Sequence, residues 1–182
     1  MDRNCPDGYV ESTSASIANT KSFLDHFAYL SSSHSVPKIA ANSSQPYSPA
    51  LPPLVQPIIT PRFALSCTDP LLASLGQLAS SFTPSLPIQT HLSENPAEVR
   101  QALELFPECR TYAGVYENFN LLGPGTILAH CVHLSEDERV VIMRTGSGVS
   151  HCPTSNLHLN SGMARVKALL DLGIKVCHCS NK

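Results

Sequence analysis

At 182 residues the chain fits one ordinary domain, and a hydrophobic share of 42% is enough for a core, which excludes wholesale disorder. Twelve Lys+Arg against fourteen Asp+Glu give a formal net charge of -2 with no block of like charge, so no nucleic-acid or membrane partner is expected and a small ligand is. No apolar run approaches the ~18 residues of a membrane helix, Met1 to Pro6 is polar with no signal-peptide core, and seven cysteines outside any C-x-x-C pair fit reduced thiols, so a cytosolic protein is expected.

From Ser12 to Leu30, the residues Ile17, Leu24, Phe27 and Leu30 recur at helical spacing, with Lys21 and Asp25 between them, which predicts an amphipathic helix in an N-terminal segment 1–30. Residues 31–54 are rich in Ser, Pro and Ala and lack apolar periodicity, so they read as a mobile connection. From 55 to 176 short apolar runs alternate with capped helical patterns. The predicted strands are Val55 to Thr60, Leu86 to Thr90, Thr126 to Ala129, Ser147 to Ser150 and Ile174 to Val176.

Asp69 before Pro70 and Asn95 before Pro96 each read as an N-cap followed by proline at the first helical position. Ser135-Glu136-Asp137-Glu138 is a capping box whose helix stops at Gly146, and a last helix opening at Asn160 or Ser161 stops at Gly173. Repeated βα units predict an α/β fold with a parallel sheet, doubly wound or part of a (β/α)8 barrel. In both, ligands bind beyond the carboxyl ends of the strands, which makes the residues there the candidate site.

Those ends are polar: Thr60-Pro61-Arg62-Phe63, then His91, then His130 with His133 beyond, then His151-Cys152-Pro153. A lone histidine is more often a hydrogen-bonded surface or core residue than a ligand, but histidines on neighbouring parallel strands can converge on Zn2+ or Fe2+. Glu94, three positions after His91, either caps the following helix or moves a proton between water and substrate. Arg62 offers a planar fork of donors for a carbonyl or carboxylate, and Phe63 either stacks on a flat ring or packs. The H-x-E and P-C-x-x-C of cytidine-type deaminases are absent, as are G-x-S-x-G, P-loop and G-x-G-x-x-G motifs.

With Thr60 to Cys67, Gln89 to Asn95, Ala129-His130 with Leu134-Ser135, and His151 to Asn156 in hand, the chain resembles the guanine deaminases of the amidohydrolase superfamily, most of all the fungal ones. The resemblance implies a partial (β/α)8 barrel and a zinc hydrolase, one Zn2+ per site, that converts guanine to xanthine and ammonia in purine catabolism. It implies that His91 is a zinc ligand that also borders the substrate, that Glu94 is the catalytic proton shuttle, and that His130 orients the reacting water. It further implies that Arg62 and Phe63 contact guanine, that His151 and Asn156 line the pocket, and that the protein is a homodimer.

The resemblance also leads one to expect an H-x-H pair from a first strand and an aspartate in a Gly-Thr-Asp after Val176. The sequence has neither, and ends Cys177-His178-Cys179-Ser180-Asn181-Lys182, a divergent tail from 177 to 182 whose donors are too tightly spaced for usual zinc binding. The expectation is a piece of a longer protein, from a truncated gene model or transcript, that alone binds zinc weakly or not at all and is inactive. Two other readings stand beside it: a deaminase of another aminopurine or a triazine, and a non-catalytic product that only associates with full-length subunits.

Overall fold

The computed structural model describes residues 1–3, 8–33 and 55–179, so the Ser/Pro-rich connection from 34 onward and the last three positions of the tail lie outside the described residues. The helix α1 (Thr13–Ser33) is followed by α2 (Asp69–Ser80), β1 (Ile88–Leu92), α3 (Pro96–Leu105), α4 (Tyr112–Asn118), β2 (Thr126–His130), α5 (Glu136–Thr145), β3 (Gly148–His151), α6 (Pro153–His158), α7 (Val166–Asp171) and β4 (Val176–His178). The strands pair in the order β1-β2-β3-β4, all parallel. Parallel neighbours need a crossover, and each is made through helices.

Strand alternation divides the sheet into two unlike faces. Ile88, Leu92, Leu128 and Val149 are buried in one core with Leu71 and Leu72 of α2, Phe106, Tyr112 and Tyr116 around α3 and α4, Ile142 of α5 and Leu169 of α7. On the other face Gln89 and Ile127 are exposed, and His91 and Ala129 are half-buried. The apolar positions thus fix the helical side, and the candidate site residues fall on the other.

The caps explain most helix starts. The Asn95 side chain accepts the Glu98 N–H at 2.9 Å, and Ser135 and Glu138 form the reciprocal capping box. Gly146 and Gly173 take left-handed φ of 73° and 75° at their helix ends. Asp69 begins α2 instead of capping it, and Thr68 holds the cap position. There Asp2 accepts from the Thr68 N–H and hydroxyl at 2.7 and 2.6 Å, so the N-terminal residues close this helix from a distance in sequence.

Several predicted boundaries shift for local reasons. The run Val55 to Thr60 contributes a single parallel bridge, Ile59 to Ile88, flanked by the bonds Ile59 N–H to Pro87 O and Gln89 N–H to Ile59 O. Pro57 and Pro61 have no N–H with which to extend that ladder. The last strand begins at Val176 because the Ile174 N–H still closes the preceding helix on Leu169 O. The last helix begins at Val166 and not at Asn160, with Gly162 at φ 103° in the irregular approach to it.

Candidate functional site

β1 runs two residues beyond its predicted end, so His91 lies within the strand, opposite Ala129 of β2. This puts its ring on the same face as Gln89. His130 pairs with Leu92, and simple alternation would send its ring to the helical side with that leucine. Instead His130 has a left-handed φ of 72°, and its ring meets that of His91 edge-on at 5.0 Å. Such a backbone in a residue other than glycine is uncommon and concentrates at functional sites.

Glu94 reaches the same place. Its backbone N–H is bonded by Glu98 at 3.1 Å and the helix is capped by Asn95, so its carboxylate is not used as a cap. Oε1 of Glu94 lies 3.5 Å from Nδ1 of His130 and accepts from the Ser161 hydroxyl at 3.4 Å. Arg62 stacks its guanidinium over the Phe63 ring at 5.1 Å, and the Phe63 ring lies 6.4 Å from that of His91.

These residues border one cavity of about 910 Å³ at the carboxyl ends of the strands, lined by Arg62, Phe63, His91, Glu94 and His130 among others. Gln89, Gln101, Ser150 and Ser155 also line it and were not among the predicted site residues. For Gln89 and Ser150 the signal was available, since each stands at an alternate strand position on the site face. His133 turns away, its Nε2 2.7 Å from the Ser161 carbonyl.

Two expectations need correction. His151 and Asn156 do not line the cavity. Ser150 and Cys152 do, while His151 is buried, with Nδ1 lacking a hydrogen-bond partner and its ring edge-on to that of His178 at 6.3 Å. Asn156 is fully buried behind His130, its Oδ1 2.7 Å from His130 Nδ1.

Burial, aided by the nearby His130 and Arg62, pulls the His91 pKa down to about 4. His91 is therefore a neutral imidazole near neutral pH, the form that donates a lone pair. Burial likewise lowers the pKa of His151, with His178 and His130 adding to the effect.

A catalytic zinc takes about three protein ligands and keeps an open position. Among the described residues no group of three His, Cys, Asp or Glu is placed to hold a metal ion, although His91 alone is a suitable donor. The described residues therefore do not by themselves fit a zinc site, and Cys177, His178 and Cys179 do not complete one.

The amidohydrolase family model matches residues 14–181, nearly the whole sequence. The chain belongs to the amidohydrolase family. This amidohydrolase is 45% identical over 176 residues to a guanine deaminase of Dictyostelium discoideum, covering 97% of the chain and 34% of that relative. It is 54% identical over 123 residues to a probable guanine deaminase of Schizosaccharomyces pombe, covering 68% and 23%. Among solved structures it resembles a guanine deaminase from C. acetobutylicum with guanine bound in the active site, with a TM-score of 0.80, 36% identity and coverage of 98% of this chain and 37% of that one. The chain spans about a third or less of the length of these relatives. The predicted fold class, an α/β arrangement forming part of a (β/α)8 barrel, agrees with the parallel sheet and with these likenesses. The superfamily is metal-dependent. Among the described residues no helix is long and apolar enough to cross a membrane.

Proposed function

We propose that the cavity is the purine site of a guanine deaminase, in which water replaces the exocyclic amine of guanine to give xanthine and ammonia. The observation that carries this reading is the convergence of Arg62, Phe63, His91, Glu94 and His130 on one cavity beyond the strand ends. They come from separate stretches of sequence, and the left-handed turn at His130 is spent on bringing its ring there.

In this reading the Arg62 fork donates to the carbonyl oxygen of the purine and the Phe63 ring lies against its face. Glu94 carries one proton of the attacking water to the ring nitrogen and then the second, from the hydroxyl that addition leaves on carbon, to the departing amine, so that ammonia leaves neutral. His130, held by Asn156, orients the water. Zinc, when bound to a complete set of donors, would lower the pKa of a water. His91 is the ligand we assign to it, in company with donors other than the described ones. The same reading makes residues 55–176 the working unit and places the protein in purine catabolism in the cytosol, as a homodimer.

The test is to express residues 1–182 and titrate guanine and adenine by saturation-transfer NMR, following xanthine by ultraviolet absorbance with and without added zinc. Guanine bound in preference to adenine, with a loss of that preference in Arg62→Met, is the expected result. Equal binding of both purines, or none of guanine, would sink the assignment. The absorbance trace then decides whether the described donors support turnover.

A further inference from the structure

The buried hydroxyl of Tyr116 stands where the two halves of the site meet. Tyr116 lies on α4, on the helical side of the sheet, fully buried and stacked on Tyr112 at 5.5 Å between ring centres. It touches nothing in the cavity. Its hydroxyl nevertheless donates to the His91 carbonyl at 2.7 Å and accepts from the Ala64 N–H at 3.0 Å and from the Thr90 hydroxyl at 3.0 Å. A phenol has one proton to give and two lone pairs to offer, so these partners use its full capacity. The Tyr112 hydroxyl, at 3.4 Å, is a marginal neighbour.

The partners belong to the two segments that hold the site. Ala64 follows Arg62 and Phe63 directly, and Thr90 and His91 are consecutive in β1. Among the described residues these segments are further joined at this level by the His91 N–H to Arg62 O bond at 3.1 Å, with a long Thr90 hydroxyl contact to the same carbonyl at 3.4 Å. Upstream, the run through 55–60 adds one bridge at Ile59 and the Gln89 amide to Thr60 hydroxyl bond at 3.1 Å, neither of which reaches Arg62 or Phe63.

We infer that Tyr116 is a positioning residue that holds the Arg62–Phe63 segment in register with His91, and so sets the distance between the purine-contacting groups and the imidazole. Burial raises its pKa well above that of a free phenol, so the donated proton stays in place across the working pH range. Because two of the three bonded groups, the Ala64 N–H and the His91 carbonyl, are backbone atoms of the site segments, a shift here moves Phe63 relative to His91 without altering either side chain. Misplacement by an ångström can cost on the order of 100-fold in a reaction that depends on geometry. The inference rests on the purine reading only for the identity of the ligand.

The experiment compares Tyr116→Phe with Tyr112→Phe in the full 182-residue chain. Phenylalanine keeps the ring and its packing and removes only the hydroxyl. The expected result for Tyr116→Phe is dispersed amide resonances, loss of the nuclear Overhauser contact between the Phe63 and His91 rings, and guanine affinity about 10- to 100-fold weaker. Tyr112→Phe should keep both contact and affinity, even at an equal loss of thermal stability. An unchanged ring contact in Tyr116→Phe overturns the inference. If no variant or parent binds guanine, the purine reading fails while the ring contact still decides the positioning role. If Tyr116→Phe does not fold, Thr90→Val, which removes one hydroxyl partner, decides: a weakened ring contact supports the inference and an unchanged one overturns it.

Discussion

Nδ1 of His130 lies 2.7 Å from the side-chain oxygen of Asn156, which is itself fully buried. An amide oxygen only accepts, so this contact fixes the proton of a neutral His130 ring on Nδ1 and leaves the lone pair on Nε2. Replacing Asn156 by alanine removes the nearer acceptor of this buried donor and leaves Glu94 Oε1 at 3.5 Å, at about 1 kcal/mol. The expected outcome for Asn156→Ala is a fall in stability of that size and a mixture of ring tautomers. Nitrogen-15 shifts of the His130 ring, read at a pH where it is neutral, check this; an unaltered single tautomer would show that Asn156 does not set it.

His91 should titrate far below an ordinary histidine. Burial, then His130 and Arg62, hold it down to about 4. A group whose folded pKa is depressed below its unfolded value of about 6.5 binds its proton more readily when unfolded. Its stabilising contribution is therefore complete above about pH 6.5 and is lost as pH falls toward 4, on the order of 2 kcal/mol after allowance for the part of the ring that solvent reaches. In Arg62→Met the His91 pKa should rise, since one repelling cation is gone. Ring proton shifts followed from pH 8 to 4 measure both, and a midpoint near 6.5 in the parent chain would refute the burial argument.

What the sequence made legible was local. The caps at Asn95 and Ser135, the stops at Gly146 and Gly173, and the polar strand ends all follow from short-range chemistry and recur in the structure. The same rules missed α4, a short helix of seven residues capped by Thr111, because its apolar positions are too few to show a period. The family likeness put His151 and Asn156 on the cavity, but His151 is buried outside its lining and Asn156, on α6, is buried behind His130. The left-handed turn at His130 is a case where tertiary structure overrides the alternation that the strand pattern dictates. Long-range partners such as Asp2 with Thr68, or Tyr116 with Ala64, leave no signature in spacing.

Glu138 joins three elements and should be the costliest buried carboxylate to remove. Its two oxygens accept from the Ser135 N–H at 2.8 Å and hydroxyl at 3.0 Å, from the Ala113 N–H of α4 at 3.1 Å and from the Ser93 hydroxyl at 3.4 Å. Loss of the capping half alone costs about 1 kcal/mol, and each buried donor left over adds about 1 to 3 kcal/mol. Glu138→Ala should lose roughly 3 kcal/mol or more, and Glu138→Gln somewhat less, because its remaining oxygen still accepts although its NH2 group cannot. Urea midpoints at constant slope are the measurement. A change under about 1 kcal/mol for the alanine variant would mean that these bonds are replaced by water.

Gly76 sits inside α2, where alanine would normally stabilise a helix by about 1 kcal/mol. The loop after α4 reverses that expectation. A Cβ built on Gly76 would stand 2.1 Å from the Phe119 carbonyl oxygen and 3.3 Å from its carbon, both backbone atoms that cannot rotate aside. The Asn120 N–H bonds Glu117 O and the Leu121 N–H bonds Tyr116 O, so the loop is itself anchored to α4. Making room means separating α2 from α4, which opens the core around Leu72, Leu75 and Leu121. Gly76→Ala should therefore destabilise by about 1 to 3 kcal/mol, the usual cost of overpacking. Thermal unfolding of this variant beside Ser74→Ala, an exposed-side control in the same helix whose hydroxyl bonds only the Pro70 carbonyl, separates the clash from helix propensity. A rise in melting temperature for both would show that the loop yields at little cost.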